Sequence, residues 1–501
     1  MAPPLSESLN PFPALFTSPA APAPNSAAGT AGTVAPVAPA GAAQNTAAGP
    51  VAAAAAAIPV AAVLAAQNSA APAPPAPADG TAVADTALAA ELAGTLAAYQ
   101  SSLAADTPAT GTGGTAATAA GTFTSFAAGT AGAATASATA GGGAAAPATI
   151  TSRLILAPLI VTEGYGLAAH PKFPHLPAAH CESGVLTALL RAAGLPISEA
   201  MTFGLGAALS FCYFPLARIN GLPLVSYRMF PNWIVNSLRR SLRLPLRFER
   251  FKDPAAGRRR LDELLASGRP AGLRADIFYL PYGPAYGNIH FAGHTIIAFA
   301  RDGENGDYLI SDPPFKTLTR CPAREFHRAR FAGVARGARG LLFHLDGPLP
   351  VTDTAALVPL IPAAIRKNAR MMLHMPLPCV SVLGIRFLAA RLRRLPVKKD
   401  PGWCRRFAGH IVFMQEGFGT GGAGFRYLYA AFLEEAAALL ARPAFRELAL
   451  ELAGIGDEWR AFARLAARLE KDELPPAPAA LADALDALAR RERLFFKKLL
   501  R

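Results

Sequence analysis

Three residue types spaced between positions 181 and 312 of the 501-residue sequence could together do covalent chemistry. Cys181 stands in His175-Leu-Pro-Ala-Ala-His180-Cys181-Glu182-Ser183-Gly184, directly before a run with Leu186, Leu189 and Leu190 at helical spacing that stops at Gly194. A thiol at a helix start feels the positive end of the backbone dipole, which favours the reactive thiolate. His294 opens the apolar run His294–Ala300, and Gly293 before it permits close backbone approach. Asp312 closes the next short run, Tyr308–Ser311, and is followed by Pro313. Neighbouring antiparallel strands would put His294 beside Asp312, so that the carboxylate orients the imidazole and the imidazole serves the thiol. Taken singly, the ordinary readings are a small buried cysteine, a satisfied core histidine and a turn-capping aspartate. Their order along the chain argues for the set.

The elements that must hold these residues follow from pattern. Helical spacing marks Val185–Ala193 and Pro254–Ser267. Strands are expected at Ala271–Leu280, His294–Ala300, Tyr308–Ser311 and Gly340–Leu345, with Asp302–Asp307 as a turn. The continuously apolar His294–Ala300 should be buried on both faces. From about residue 355 the period becomes helical: Ala355–His374, Val380–Leu395, Trp403–Gly417, Phe425–Ala441, Phe445–Leu469 and Pro478–Leu500. The fold class is therefore α+β followed by an all-helical region.

Composition divides the chain. Residues 1–152 contain no Lys or Arg and five acids, Glu7, Asp79, Asp85, Glu91 and Asp106, a net of −5. Residues 153–501 hold all 48 basic residues against 29 acids, a net of +19. Residues 1–150 are Ala/Pro/Gly/Thr-rich and offer little large apolar surface, so a disordered tail is expected, with one helical patch at Thr86–Leu103. The expected domains are 1–150 as tail, 151–350 as catalytic domain and 351–501 as helical domain.

Several classes are excluded by pattern. The start has no secretory signal, and the most apolar stretch, Val51–Ala66, is short, alanine-rich and broken by Pro59, so no membrane span is expected. Five scattered cysteines, with no Cys-x-x-Cys pair, make neither a disulfide framework nor a zinc site, and the expected compartment is the cytoplasm. His290 and His294 form a short His-x-x-x-His without a third ligand, so no metal is expected. The basic charge lacks an aromatic-basic motif for nucleic acid. The Gly-rich run Gly417–Gly424 opens into a helix, where exposed N–H groups of Gly419, Gly421 and Gly422, with Arg426, could cradle an anion such as the phosphate of a phosphopantetheine arm. A plain interhelix loop fits it as well. Arg391, Arg393 and Arg394 are a second basic cluster, equally readable as a solvated helix face.

The segments HCESGVLTALLRAAG, FGLGAALSF, DIFYLPY, HFAGHTIIAFARDG and YLISDPPF, in that order, resemble the N-terminal domain of butirosin biosynthesis protein H. GFGTGGAGFRYLYAAFLEEAA resembles the helical domain that often follows it. The resemblance implies a papain-like cysteine-hydrolase fold and an acyltransferase that moves an aminoacyl group from an acyl carrier protein thioester to an amine or hydroxyl acceptor. It implies Cys181 as nucleophile, His294 as base and Asp312 as orienting group, with no bound cofactor and an acidic carrier protein as partner. Where papain-like enzymes place an oxyanion-hole glutamine, this sequence offers His175 and His180. A peptidase or amidase of the same fold, or a non-catalytic scaffold, are the competing readings.

Overall fold

The computed structural model describes residue 150 and residues 160–167, 170, 173–219, 221–283, 290–303, 306–332, 338–395, 400–417, 419–473 and 478–501. The expectations for the tail, including Thr86–Leu103, lie outside the described residues.

The chain order is α1 (Cys181–Ala192), α2 (Glu199–Leu205), β1 (Leu209–Ile219), β2 (Leu222–Arg228), α3 (Trp233–Ser241), β3 (Leu246–Glu249), α4 (Pro254–Ala266), β4 (Ala271–Ala275), β5 (His294–Arg301), β6 (Tyr308–Ser311), β7 (Thr319–Cys321), α5 (Ala323–Phe331) and β8 (Leu342–Leu345). Helices α6 (Ile361–His374), α7 (Ser381–Arg393), α8 (Pro401–Val412), α9 (Arg426–Leu439), α10 (Ala444–Glu470) and α11 (Pro478–Leu499) complete it. The class is mixed helix and antiparallel sheet with a helical C-terminal region.

Six strands form one antiparallel sheet in the order β3-β8-β4-β5-β6-β7. β5 is central, and six of its eight residues are buried, in keeping with its unbroken apolar sequence. A bulge between Ala298 and Ala300 shifts its register with β6. The first helix packs on β4 and β5. The expected strand Ala271–Leu280 is shorter, because the Asp276 carboxylate accepts the Phe278 N–H and turns Ile277–Tyr279 into a 3₁₀ turn.

Local chemistry sets the helix limits. Asp253 caps α4 ahead of Pro254 at its first turn, and Gly268 at φ +73° lets the chain leave. Pro359 confines Thr354–Leu360 to a 3₁₀ turn before α6 begins. The expected helix Trp403–Gly417 ends in a π-turn over Phe413–Gly417. One apolar cluster runs from Val185 and Leu189 on α1 through Phe203, Tyr227 and Ile297 to Trp459 and Phe496, so the C-terminal helices share a core with the helix that begins at Cys181.

Candidate active site

Cys181 is the first residue of α1 and only 4% exposed. Its approach is rigidly held. The His180 ring accepts the Ser183 N–H and caps the helix. The Glu199 carboxylate accepts the N–H groups of Ala179 (2.8 Å) and His180 (2.9 Å) and the Ser183 hydroxyl (2.8 Å). Burial raises the Glu199 pKa, while these three donors pull it back.

His294 lies at the N-terminus of β5, as its sequence position implied, and is fully buried. Its Nε2 stands 2.8 Å from Asp312 Oδ1 and 2.9 Å from Oδ2. The Tyr282 hydroxyl donates to Asp312 Oδ2 at 3.0 Å. The Cys181 thiol lies near enough to the imidazole to help raise its pKa. With Nε2 committed to the carboxylate, Nδ1 is the nitrogen left to exchange a proton with sulfur. Burial pulls the His294 pKa down, but the Asp312 carboxylate and then Cys181 outweigh it and raise it to about 10. The structure thus brings Cys181, His294 and Asp312 together.

Two residues that hold the site were not singled out from sequence. Glu182 is buried, and its carboxylate accepts the N–H groups of Asn232 (3.0 Å) and Ile234 (2.9 Å) at the start of α3 while pairing with Arg228 at 3.2 Å. One carboxylate therefore fixes a second helix to the first turn of the nucleophile's helix. Tyr282 was equally hidden, since its only signal was a tyrosine between prolines and glycine in the loop after the 3₁₀ turn.

The two oxyanion-hole candidates differ. His175 is half-buried and grips the turn that carries Asp312: its Nδ1 meets Ser311 Oγ at 2.8 Å and its Nε2 meets the Phe315 carbonyl at 3.0 Å. Burial lowers its pKa. His180 is 1% exposed, and because Nδ1 accepts from Ser183, the ring proton resides on Nε2, a buried donor with no partner among the described residues. Burial first, then Arg228 and His294, drive its pKa well down, keeping it neutral.

The two histidines of His-x-x-x-His serve different carboxylates. His290 Nδ1 meets Asp276 Oδ2 at 2.9 Å, whereas His294 meets Asp312. Among the described residues there is no group of three or more His, Cys, Asp or Glu able to hold a metal ion. The described residues of the Gly-rich segment, 417 and 419–424, are buried. The Ala423 N–H donates to both oxygens of Glu416 at 3.1 Å, and the Gly422 N–H donates to Thr420 Oγ. Gly419, Gly421 and Gly422 all take positive φ. Arg426 is fully buried, with its Nε 2.7 Å from Glu492 Oε1 and its guanidinium over the Trp459 ring. Of the other basic cluster, Arg393 pairs with Asp483 and Asp486.

A cysteine at the start of a helix laid on an antiparallel sheet, with histidine at one strand's start and aspartate past the end of the next, is a papain-like layout. Residues 180–313 match the family model "Butirosin biosynthesis protein H, N-terminal", and residues 324–499 match a domain of unknown function. None of the curated proteins matches the chain. Among solved structures, a putative C39-like peptidase from Bacillus anthracis aligns over 37% of this chain and 100% of its own, at 13% identity and a TM-score of 0.24.

Proposed function

We propose that the chain is a cysteine-dependent acyltransferase. An acyl or aminoacyl group, delivered as the thioester of a carrier protein's phosphopantetheine arm, is taken by Cys181 and passed to an amine or hydroxyl acceptor. The Cys181 proton rests on His294 as an imidazolium, and the sulfur attacks the thioester carbonyl as a thiolate. The tetrahedral oxyanion collapses, the carrier thiol leaves with the proton from His294, and an acyl-Cys181 remains. The acceptor then attacks, giving its proton to His294 and later restoring the thiol. The Cys181 N–H, in the first helical turn where backbone donors lack intrahelical acceptors, is one oxyanion donor. His180 Nε2–H is the side-chain donor offered beside it, with His175 acting on the Asp312 turn.

The observation that carries transfer over hydrolysis is the burial of the centre: Cys181 is 4% exposed and His294 and Asp312 are 0% exposed. A thioester and a Cys thioester are close in energy, so acylation is freely reversible, and a dry site slows loss of the acyl group to water. The experiment is a competition. The full chain is given an acyl thioester with and without a primary amine, and intact mass and product are followed. Acyl mass on Cys181 that disappears into amide faster than into free acid supports the reading. Free acid as the dominant product in the presence of amine makes it a hydrolase, and no acyl mass on Cys181 with any thioester removes the proposed mechanism.

A further inference from the structure

Two adjoining clefts open between α3 and β3. One, of about 340 Å³, is lined by Asn232, Asn236, Arg239, Phe248, Glu249, Arg250 and Leu341. The other, of about 470 Å³, shares Arg239 and Phe248 and adds Arg247 and Asp346. Residues 239–252 hold six cations, Arg239, Arg240, Arg243, Arg247, Arg250 and Lys252, all exposed, against one acid. That acid, Glu249, is spent on Arg260 at 3.0 Å and on His344 at 3.0 Å. Arg247 pairs with Asp346 at 3.4 Å. Arg239 and Arg250 have no carboxylate partner among the described residues, and Arg239 is held over the Phe248 ring at 5.7 Å. The cleft therefore presents two uncommitted guanidinium groups around an aromatic wall.

One lining residue is hydrogen-bonded to the neighbour of Cys181. Asn232 lines the cleft, its backbone N–H donates to Glu182, and its Oδ1 accepts from Arg274 Nη2 at 3.0 Å. Glu182 is the residue next to Cys181. Arg274 lies on β4, one position before Ala275, which pairs with His294 across the sheet. Burial lowers the Arg274 pKa, Cys181 among others pulls it back up, and Arg250 adds to the lowering.

We propose that the cleft between Arg239, Phe248 and Arg250 binds the phosphate of a phosphopantetheine-borne thioester, with the pantetheine arm passing Asn232 and Arg274 to reach Cys181. The proposal rests on the acyl-thioester reading above for what the arm delivers. Guanidinium forks match phosphate oxygens in pairs, which a point charge does not. The clefts are the size of small-molecule sites and suit a single phosphate and a slender arm. The Gly-rich segment has its Ala423 and Gly422 N–H groups taken by Glu416 and Thr420, whereas these arginines are open.

The test is binding of 4′-phosphopantetheine and of pantetheine, which lacks the phosphate, to the full chain by calorimetry. The phosphorylated ligand should bind about tenfold or more tighter, and the advantage should shrink with salt. Arg239→Gln with Arg250→Gln keeps the packing of both stems, should leave the melting temperature unchanged, and should erase the difference. Equal binding of the two ligands by the wild-type chain, or an undiminished difference in the double variant, overturns the site. The phosphate has two sources, and loading of Cys181 separates them. Loss of loading in the double variant from the carrier-bound thioester alone identifies the carrier, and loss from acyl-coenzyme A alone identifies the free cofactor. Normal loading from both overturns the site while leaving the transferase reading intact. A phosphate-dependent difference without any loading of Cys181 keeps the anion site and removes the transferase.

Discussion

Gly184, one turn into α1, lies against Pro313, the residue after Asp312: a Cβ at Gly184 would stand 2.9 Å from Pro313 Cβ and 2.5 Å from Ala178 Cβ. The Ala178 N–H donates to the Pro313 carbonyl at 2.8 Å, which stitches the approach to Cys181 onto the same turn. The absent side chain therefore sets how closely the carboxylate's turn approaches the nucleophile's helix. Neither contact has a flexible side-chain end that could swing away.

Gly184→Ala should accordingly cost about 1–3 kcal/mol of stability through overpacking and slow acyl loading of Cys181 beyond what the stability loss explains. Denaturant unfolding together with single-turnover loading checks both. Wild-type loading in a variant of wild-type stability would show that the turn has slack the contact does not suggest.

Glu182 is the second test of how the site is held. Glu182→Ala removes the acceptor at the start of α3 and leaves Arg228, 9% exposed, as a buried cation without its partner. Breaking a buried pair from one side costs about 3–5 kcal/mol. The expected result is a large fall in unfolding free energy, with Glu182→Gln milder because the amide oxygen can still accept from α3. Equal and small losses in both variants would place Arg228 in contact with water.

The grouping of Cys181, His294 and Asp312 was legible because each sits where a change of period meets a polar residue: Cys181 at a helix start, His294 at a strand start, Asp312 before proline. What surrounds them was not. The stretch after Met201 is interrupted by glycines and gives no clean period, yet it folds as α2 followed by the β1–β2 ribbon, whose register shifts twice. The helix α3 was hidden because its first turn is fixed by Glu182, fifty residues earlier, with no side-chain cap of its own. The burial of the Gly-rich segment was equally out of reach, since its polar partners, Glu416 and Thr420, are local but the wall it packs on, Tyr227 against Gly424, comes from β2.

The His294 pair predicts a pH dependence of definite sign. A folded-state pKa of about 10 against the ordinary 6.5 means that the pair stabilises the fold fully below about 6.5 and that this contribution is lost as pH rises through 10. Asp312→Asn removes the carboxylate that holds the value up while leaving the burial that lowers it. The variant should lose the stability decline over that window, and the alkaline limb of Cys181 loading should move to lower pH. Loading profiles and unfolding free energies from pH 6 to 10.5 check this, and an unmoved alkaline limb would detach the limb from His294.

Thiol labelling separates Cys181 from the other four cysteines. Burial pushes the Cys212 thiol up to about 12 and also raises those of Cys321, Cys379 and Cys404. Cys379 is nevertheless the most accessible of the five, half-buried where the others are buried. Exposure and activation therefore predict opposite outcomes. If the neighbouring His294 governs, a substoichiometric pulse of iodoacetamide at pH 7.5 should carry most of its mass on Cys181. Acyl mass from a thioester should fall on the same residue, and Cys181→Ala should abolish it while melting near the wild-type temperature. His294→Ala should suppress labelling of Cys181 more than Asp312→Asn does, since the first deletes the proton acceptor and the second only releases it from its carboxylate. Preferential modification of Cys379 in the wild-type chain would mean that accessibility decides, and that Cys181 is an ordinary buried thiol.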